Sequence, residues 1–148
     1  MLDVHIRPHI QHLFDFCAYG CIKFGLTPNR LTLIAFCVGV SAALFLIYGY
    51  TSLALICLLG SGLCDILDGT VARLTNTSHP FGGYIDLISD RMVESALIVG
   101  FATIYPDFYL LYLLFLISVL LHFSTFLAAG ALFKNESEKS MHYDRSLV

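Results

Sequence analysis

The centre of the chain reads Asp65-Ile-Leu-Asp68-Gly69-Thr-Val-Ala72-Arg73 and, after eight further residues, Gly82-Gly-Tyr-Ile-Asp86-Leu-Ile-Ser-Asp90. If both segments are helical, their aspartates recur at intervals of three or four residues, which places them on one helix face. Asp65 and Asp68 share one such face, and Asp86 and Asp90 share another. The sequence therefore predicts two acidic helix faces that can meet.

Four carboxylates between apolar segments need a polar environment. An ionised carboxylate at the centre of a membrane helix costs roughly 2.5–3.5 kcal/mol on insertion scales, so four facing lipid would cost on the order of 10 kcal/mol. Packed together without cations, they would also repel one another. Two divalent cations carry the matching charge, and Mg²⁺ and Mn²⁺ prefer carboxylate oxygens as ligands. The residues alone therefore favour a site for two cations.

The composition is that of an integral membrane protein, because 57% of the 148 residues are hydrophobic and 13% are charged. We therefore expect a lipid bilayer around the chain and no nucleic acid as a partner. The five cysteines lie in apolar segments without the close spacing of metal ligands. We interpret them as small apolar core residues and predict no zinc site.

Apolar segments broken by turn residues predict an all-α membrane helical bundle, a single membrane domain over residues 1–148. Residues 31–50 contain no charged side chain, and at about 1.5 Å per residue they cross about 30 Å of hydrocarbon. Gly25, Gly49 and Pro106 mark breaks between segments. The predicted segments are an interfacial amphipathic helix at 4–24, membrane spans at 31–50, 53–73, 81–105 and 108–133, and a cytoplasmic tail at 134–148.

The basic residues predict the orientation of the chain. All eight Lys and Arg residues fall on the same side of the predicted spans as the N-terminus, whereas the turns near Tyr50 and Asp107 contain none. Cytoplasmic loops of membrane proteins carry an excess of Lys and Arg. We therefore expect both termini and the acidic segments to face the cytoplasm.

The two acidic segments together resemble the signature of the CDP-alcohol phosphatidyltransferase family. The matching pattern is Asp65-x-x-Asp68-Gly69-x-x-Ala72-Arg73, eight intervening residues, and Gly82-x-x-x-Asp86-x-x-x-Asp90. The stretch Gly25-x-Thr27-Pro28-Asn29-x-x-Thr32 is also similar, and the resemblance covers roughly residues 7–133. It implies an enzyme of phospholipid biosynthesis that transfers a substituted phosphate from a CDP-linked lipid, such as CDP-diacylglycerol, to the hydroxyl of an acceptor alcohol, with release of CMP.

The resemblance assigns metal-binding and catalytic roles by position. Asp65, Asp68 and Asp86 would be ligands of two divalent cations, Mg²⁺ or Mn²⁺. Asp90 would be the general base and would also touch a metal. Residue chemistry agrees with this assignment, because a pair of cations can stabilise both the attacking and the departing oxygen of an in-line displacement, and a carboxylate can accept the proton of an alcohol.

The substrate-binding positions follow in the same way. Arg73 would hold a phosphate of the nucleotide, for which its planar donor fork is well suited. Gly69, Ala72 and Gly82 would complete the substrate site, and the two glycines would leave room for the nucleotide to approach the backbone.

Several polar or small residues have structural interpretations. We expect Arg91 to contact lipid headgroups or to form a local ion pair with Glu94. The alternative for Glu94 is that it supports Asp90 from one helical turn away. His122 is interpreted as a hydrogen-bonding residue of the bundle rather than a catalyst. Four glycines are expected to serve close helix packing, namely Gly60, Gly62, Gly100 and Gly130.

The resemblance leaves alternatives open. Family members generally have six spans and the family suggests a homodimer, whereas four spans are predicted here, so the chain would lack the last two. A truncated homologue that binds CDP-lipid or pairs with an intact homologue without turnover is therefore one alternative, and a cation transporter is another. The predicted span at 108–133 contains no Lys or Arg that could bind a phosphorylated acceptor. An uncharged acceptor alcohol and an acceptor site in the absent segment are therefore equally compatible with the sequence.

Overall fold

The computed structural model describes the backbone of residues 3–145 and the side chains of residues 11–130. These residues are helical almost throughout, and no strand occurs among them, which confirms the all-α prediction. The elements are α1 (Asp3–Lys23), α2 (Pro28–Ile47), α3 (Thr51–Leu74), α4 (Pro80–Ile104), a 3₁₀ turn (Pro106–Phe108) and α5 (Tyr109–Arg145).

Three helical segments are long and apolar enough to cross a membrane, namely Pro28–Ile47, Thr51–Leu74 and Pro106–Gly130. They identify an integral membrane protein. The helix α4 matches the predicted bounds 81–105 closely, but it is not among the three, because charged residues occupy its middle: Asp86, Asp90, Arg91 and Glu94. The membrane span at 81–105 therefore stays a prediction. The cytoplasmic orientation also stays a prediction.

The two ends of the chain extend beyond the described side chains. The helix α1 agrees with the predicted helix at 4–24, and α5 continues as helix to Arg145, through most of the segment predicted as a tail. The side chains of residues 4–10, on which the amphipathic prediction partly depends, lie outside the described side chains, and so do those of the tail at 134–148. The interfacial position of α1 stays a prediction.

Glycine ends both of the first two helices, as predicted. Gly25 has φ +73° and Gly49 has φ +83°, a backbone region that side chains other than glycine rarely adopt. After α1, the Leu26 N–H donates to the carbonyl of Cys21 at 3.0 Å, and after α2 the N–H of Tyr50 donates in the same way. These bonds satisfy carbonyl groups that a helix end would otherwise leave unpaired.

The helices α1 to α4 belong to one unit, Met1–Pro106, and α5 belongs to a second, Asp107–Val148. In the first unit, α2 packs against both α3 and α4, and α1 packs against α3, whereas the backbones of α3 and α4 come close at few points. The buried side of α2 consists mainly of small residues at helical intervals, which let neighbouring helices approach closely. They are Leu31, Thr32, Ala35, Gly39, Ala42, Ala43 and Leu46.

Gly39 is the position where α2 meets α3 and α4 together. A Cβ atom added there would lie 2.7 Å from both γ-methyl groups of Val93 on α4 and 2.8 Å from Ser61 Oγ on α3. Nearby, the Ser61 hydroxyl donates to the carbonyl of Ala35 at 2.7 Å and ties α3 to α2. The central crossing of the unit therefore requires glycine.

Gly39 was not among the glycines expected to serve close helix packing, and for those glycines the expectation is met in part. A Cβ atom at Gly100 would lie 3.4 Å from the carbonyl oxygen of Ala43, so this glycine does permit close packing of α4 on α2. At Gly62 the expectation is wrong for the described part of the chain, because an added Cβ would meet none of its atoms within 4 Å.

We predict that Gly39→Ala lowers the free energy of unfolding by about 1–3 kcal/mol, because the added methyl group overpacks the crossing of three helices. Titration of the purified protein with SDS in mild detergent, followed by circular dichroism, measures this change. Gly62→Ala is the matched control and should be neutral or slightly stabilising, since alanine favours helix more than glycine does. Equal stability of the two variants would contradict the packing described for Gly39.

Candidate functional site

Three of the four predicted acidic residues come together between α3 and α4. Asp65, Asp68 and Asp86 each offer one carboxylate oxygen, and these three oxygens lie within 4.8 Å of one another. Asp68 is 6% exposed, while Asp65 and Asp86 are partly buried. The predicted meeting of two acidic faces is therefore confirmed for these three residues, which we call the carboxylate cluster.

The helix α2 holds one member of the carboxylate cluster in place. Thr32 Oγ1 lies 2.6 Å from Asp68 Oδ2 and 3.1 Å from the carbonyl oxygen of Pro28. A hydroxyl has a single proton, and the shorter, charge-assisted bond to the carboxylate is the stronger one. Thr32 belongs to the stretch that resembles the family, but its contact with Asp68 depends on the packing of α2 on α3 and was not predicted.

Asp90 lies one helical turn beyond Asp86, outside the group of three. With Asp65 and Asp86 it lines a small cavity of about 10 Å³, whose other lining residues include Ser61 and Ser89. A volume of this size suits about one water molecule. The structure therefore places Asp90 beside the cluster, at a separate small cavity.

A larger cavity of about 530 Å³ opens beside the carboxylate cluster. All four predicted substrate-binding residues line it, together with two members of the cluster. Its complete lining is Thr27, Pro28, Asn29, Thr32, Asp68, Gly69, Ala72, Arg73, Thr77, Ser78, His79, Phe81, Gly82, Gly83 and Asp86. Both α3 and α4 pack on α2, and the separation of their backbones is consistent with open space at this place.

The two glycines that were predicted to bind substrate are not required by close packing. A Cβ atom at Gly69 would lie 3.6 Å from Arg73 Nη1, and one at Gly82 would lie 3.7 Å from Asn29 Oδ1. Both are ordinary van der Waals distances, in contrast to the close approach at Gly39. The absence of side chains at Gly69 and Gly82 therefore enlarges the cavity without being needed for the fold.

The connection between α3 and α4 forms part of the cavity wall. Asn76 lies two residues after the end of α3 and has φ 51°, and the N–H of Thr77 donates to the carbonyl of Ala72 at 3.0 Å. His79 then caps α4, because its Nδ1 accepts the N–H of Phe81 at 3.2 Å. The sequence indicated only a polar connection here, and its contribution to the cavity depends on how the loop is folded.

The two arginines of the acidic segments have different partners. Arg91 Nη1 lies 2.6 Å from Glu94 Oε2, which confirms the local ion pair. This is the one ion pair among the described side chains, so no described carboxylate lies within 4 Å of the Arg73 guanidinium. The guanidinium of Arg73 therefore keeps an uncompensated positive charge at the wall of the larger cavity.

The carboxylate cluster fits a divalent cation. Its ligands are hard oxygen atoms, as Mg²⁺ and Mn²⁺ require. Asp86 Oδ1 is buried and has no hydrogen-bond partner among the described residues, which is costly for a charged oxygen unless something else satisfies it. A bound cation at this oxygen would satisfy it.

Comparison with known proteins identifies relatives of this chain. The sequence profile of the CDP-alcohol phosphatidyltransferase family matches residues 25–143. The inner membrane protein YnjF of Escherichia coli is 36% identical over 107 residues, which are 72% of this chain and 52% of that protein.

Two further relatives have names that state an activity. The archaetidylinositol phosphate synthase of Pyrococcus horikoshii is 32% identical over 97 residues, which are 66% of this chain and 52% of the relative. The phosphatidylinositol phosphate synthase of Corynebacterium glutamicum is 36% identical over 98 residues, which are 66% of this chain and 45% of the relative. The chain thus spans about half the length of the curated relatives it matches.

We predict that Asp86→Asn raises the free energy of unfolding by about 1 kcal/mol when divalent cations are removed with EDTA. The substitution removes one of three neighbouring negative charges and supplies amide N–H groups that can donate to the remaining carboxylates. SDS titration in EDTA measures the change, and Asp107→Asn in the exposed turn after α4 is the control. A less stable Asp86→Asn protein would show that the fold needs this carboxylate, contrary to our interpretation.

Proposed function

Because the chain belongs to the CDP-alcohol phosphatidyltransferase family, we propose that it transfers a phosphatidyl group from a CDP-linked lipid, such as CDP-diacylglycerol, to the hydroxyl of an acceptor alcohol. The observation that carries this proposal is the arrangement of the larger cavity. Carboxylates of Asp68 and Asp86 lie at its wall together with the unpaired guanidinium of Arg73. A diphosphate with bound cations has the complementary charges.

In this proposal the carboxylate cluster binds the cations. Asp65, Asp68 and Asp86 would hold one divalent cation, and Asp90 would join Asp65 and Asp86 in holding a second, Mg²⁺ or Mn²⁺ in each case. Bound there, the cations would neutralise the charge on the diphosphate and on the departing CMP. Thr32 would keep Asp68 oriented, because metal ligands whose other oxygen is hydrogen-bonded lose less freedom on binding.

Arg73 would bind a phosphate of the CDP group. Its charge is not compensated by an ion pair among the described side chains, and Gly69, adjacent to it, leaves space for a phosphate to approach the backbone of α3. Guanidinium and phosphate form bidentate, charge-assisted hydrogen bonds. Ala72 and Gly82 would line the remainder of the nucleotide site.

The reaction requires that the acceptor hydroxyl loses its proton. We assign this proton to the carboxylate of Asp90, which lies beside the cluster and outside the group of three. A bond then forms between the acceptor oxygen and the phosphorus that carries the lipid. The bond from that phosphorus to the bridging oxygen breaks, and CMP departs with the bridging oxygen.

The surface of α3 would let the lipid remain in the bilayer during this reaction. Towards the N-terminus of the helix, Leu55, Leu59 and Leu63 are exposed, whereas Asp65, Asp68 and Arg73 follow towards its C-terminus. A CDP-lipid could thus extend its acyl chains along the apolar half and place its diphosphate at the polar half.

The names of the relatives suggest the class of acceptor. Two of them are synthases of inositol phosphate lipids, one from Pyrococcus horikoshii and one from Corynebacterium glutamicum. We therefore propose an inositol phosphate as the first acceptor to test. An uncharged alcohol such as free inositol is the alternative, because the described cavity wall offers a single arginine and no lysine.

We predict that Asp90→Asn lowers CMP release from CDP-diacylglycerol by at least about 100-fold, the usual contribution of a general base. The assay uses the purified chain with Mg²⁺, inositol phosphate, inositol and glycerol phosphate as acceptors. Asp107→Asn, in the turn after α4, should react like the wild type.

Acceptor-dependent CMP release that Asp90→Asn abolishes would support the proposal and identify the acceptor. A fully active Asp90→Asn protein would contradict the role of Asp90. If the wild-type chain released no CMP with any acceptor, the transferase proposal for this chain would fail, and Mg²⁺-dependent CDP binding without turnover would then point to a binding protein.

A further inference from the structure

Thr70 is a buried polar residue that neither the family pattern nor the proposed reaction uses. It occupies one of the unspecified positions between Asp68 and Arg73, and it is 1% exposed. Its hydroxyl donates to the carbonyl oxygen of Ile66, one turn earlier in α3, at 2.8 Å. Because a hydroxyl has only one proton, the oxygen of Thr70 can act only as an acceptor toward any other neighbour.

That other neighbour is Arg73. Its Nη2 donates to Thr70 Oγ1 at 3.0 Å, and its Nη1 lies 3.6 Å from where a Cβ atom of Gly69 would be. Side chains of a helix lean toward its N-terminus, so a contact from residue 73 to residue 70 follows the natural direction. The guanidinium is thus folded back along α3, toward the turn that carries Asp68.

This conformation brings the charge of Arg73 toward the carboxylate cluster. An arginine has many rotamers, and an extended one at the end of α3 would direct its charge away from the acidic turn. A guanidinium already held in the binding orientation loses less conformational freedom when a phosphate arrives. The hydrogen bond from Arg73 to Thr70 supplies such an orientation without using a carboxylate, so the positive charge stays free for an anion.

We propose that Thr70 is a positioning residue, which holds the Arg73 guanidinium over the larger cavity so that it can bind the diphosphate of a CDP-lipid. The inference rests on the proposed function, because it requires that Arg73 binds phosphate. It extends the site from residues that touch substrate to a buried hydroxyl that acts through one of them.

Removal of the Thr70 hydroxyl tests this role. Thr70→Val keeps the shape of the side chain but deletes the acceptor, and Thr70→Ser keeps the acceptor. We expect Thr70→Val to raise the dissociation constant for CDP about three- to tenfold, the loss expected for one net hydrogen bond, and Thr70→Ser to bind CDP like the wild type. Isothermal titration calorimetry of the purified full chain with CDP in Mg²⁺ measures both.

A double-mutant cycle separates positioning from packing. In an Arg73→Ala background, Thr70→Val should have no further effect on CDP binding, because the group it positions is gone. Thr103→Val is the matched control, since the hydroxyl of Thr103 also donates to the carbonyl four residues earlier, that of Val99, at 2.8 Å. This control should leave CDP binding unchanged. If Thr70→Val does not fold, Thr70→Ala takes its place in the cycle.

The outcomes distinguish the inference from the function on which it rests. If the wild type binds CDP and Arg73→Ala weakens binding, but Thr70→Val binds like the wild type, the positioning role is wrong. The role is also wrong if Thr70→Val weakens binding equally with and without Arg73. If the wild-type chain binds no CDP in Mg²⁺, the proposed function fails and the inference fails with it.

Discussion

Repulsion among the carboxylates of α3 and α4 is the constraint on which the rest of the structure depends. Three of these groups have oxygens within 4.8 Å of one another, an arrangement that disfavours the contact of two acidic helices. The backbones of these two helices come close at few points, and α2 packs against both of them. Gly39 allows the close crossing, and Thr32 donates a hydrogen bond to Asp68. The cost of the cluster is thus offset by packing on a third helix.

The glycines fall into two groups, one that permits close packing of the helices and one that lines the larger cavity. At Gly39 the neighbouring helices leave no room for a side chain and at Gly100 the packing is tight, whereas Gly69 and Gly82 line open space. A glycine that packing does not require weakens a helix. At the larger cavity, the absence of side chains at Gly69 and Gly82 leaves the space that the proposed nucleotide site needs. The buried oxygen of Asp86, which has no hydrogen-bond partner among the described residues, is likewise a costly feature in the protein alone.

Much of this organisation follows from local sequence. Gly25 and Gly49 end helices because few other residues adopt their backbone angles, and the interval between Asp65 and Asp68 places them on one face in any helix. The contacts of Thr32, Thr70 and His79 could not be predicted, since they depend on which helix lies alongside or how a loop folds. The same applies to Gly39. Both Gly39 and Gly62 lie within apolar helices, but of these two only Gly39 lies at a helix crossing.

Titration of the purified chain with Mn²⁺, followed by electron paramagnetic resonance, determines whether the carboxylate cluster binds metal. We expect that about two Mn²⁺ ions bind per chain close enough for their spins to couple, as in other two-metal sites. Asp86→Asn should abolish the coupled signal, and Asp107→Asn should not. No bound Mn²⁺, or a signal that Asp86→Asn leaves unchanged, would contradict the claim that the carboxylate cluster is a metal site.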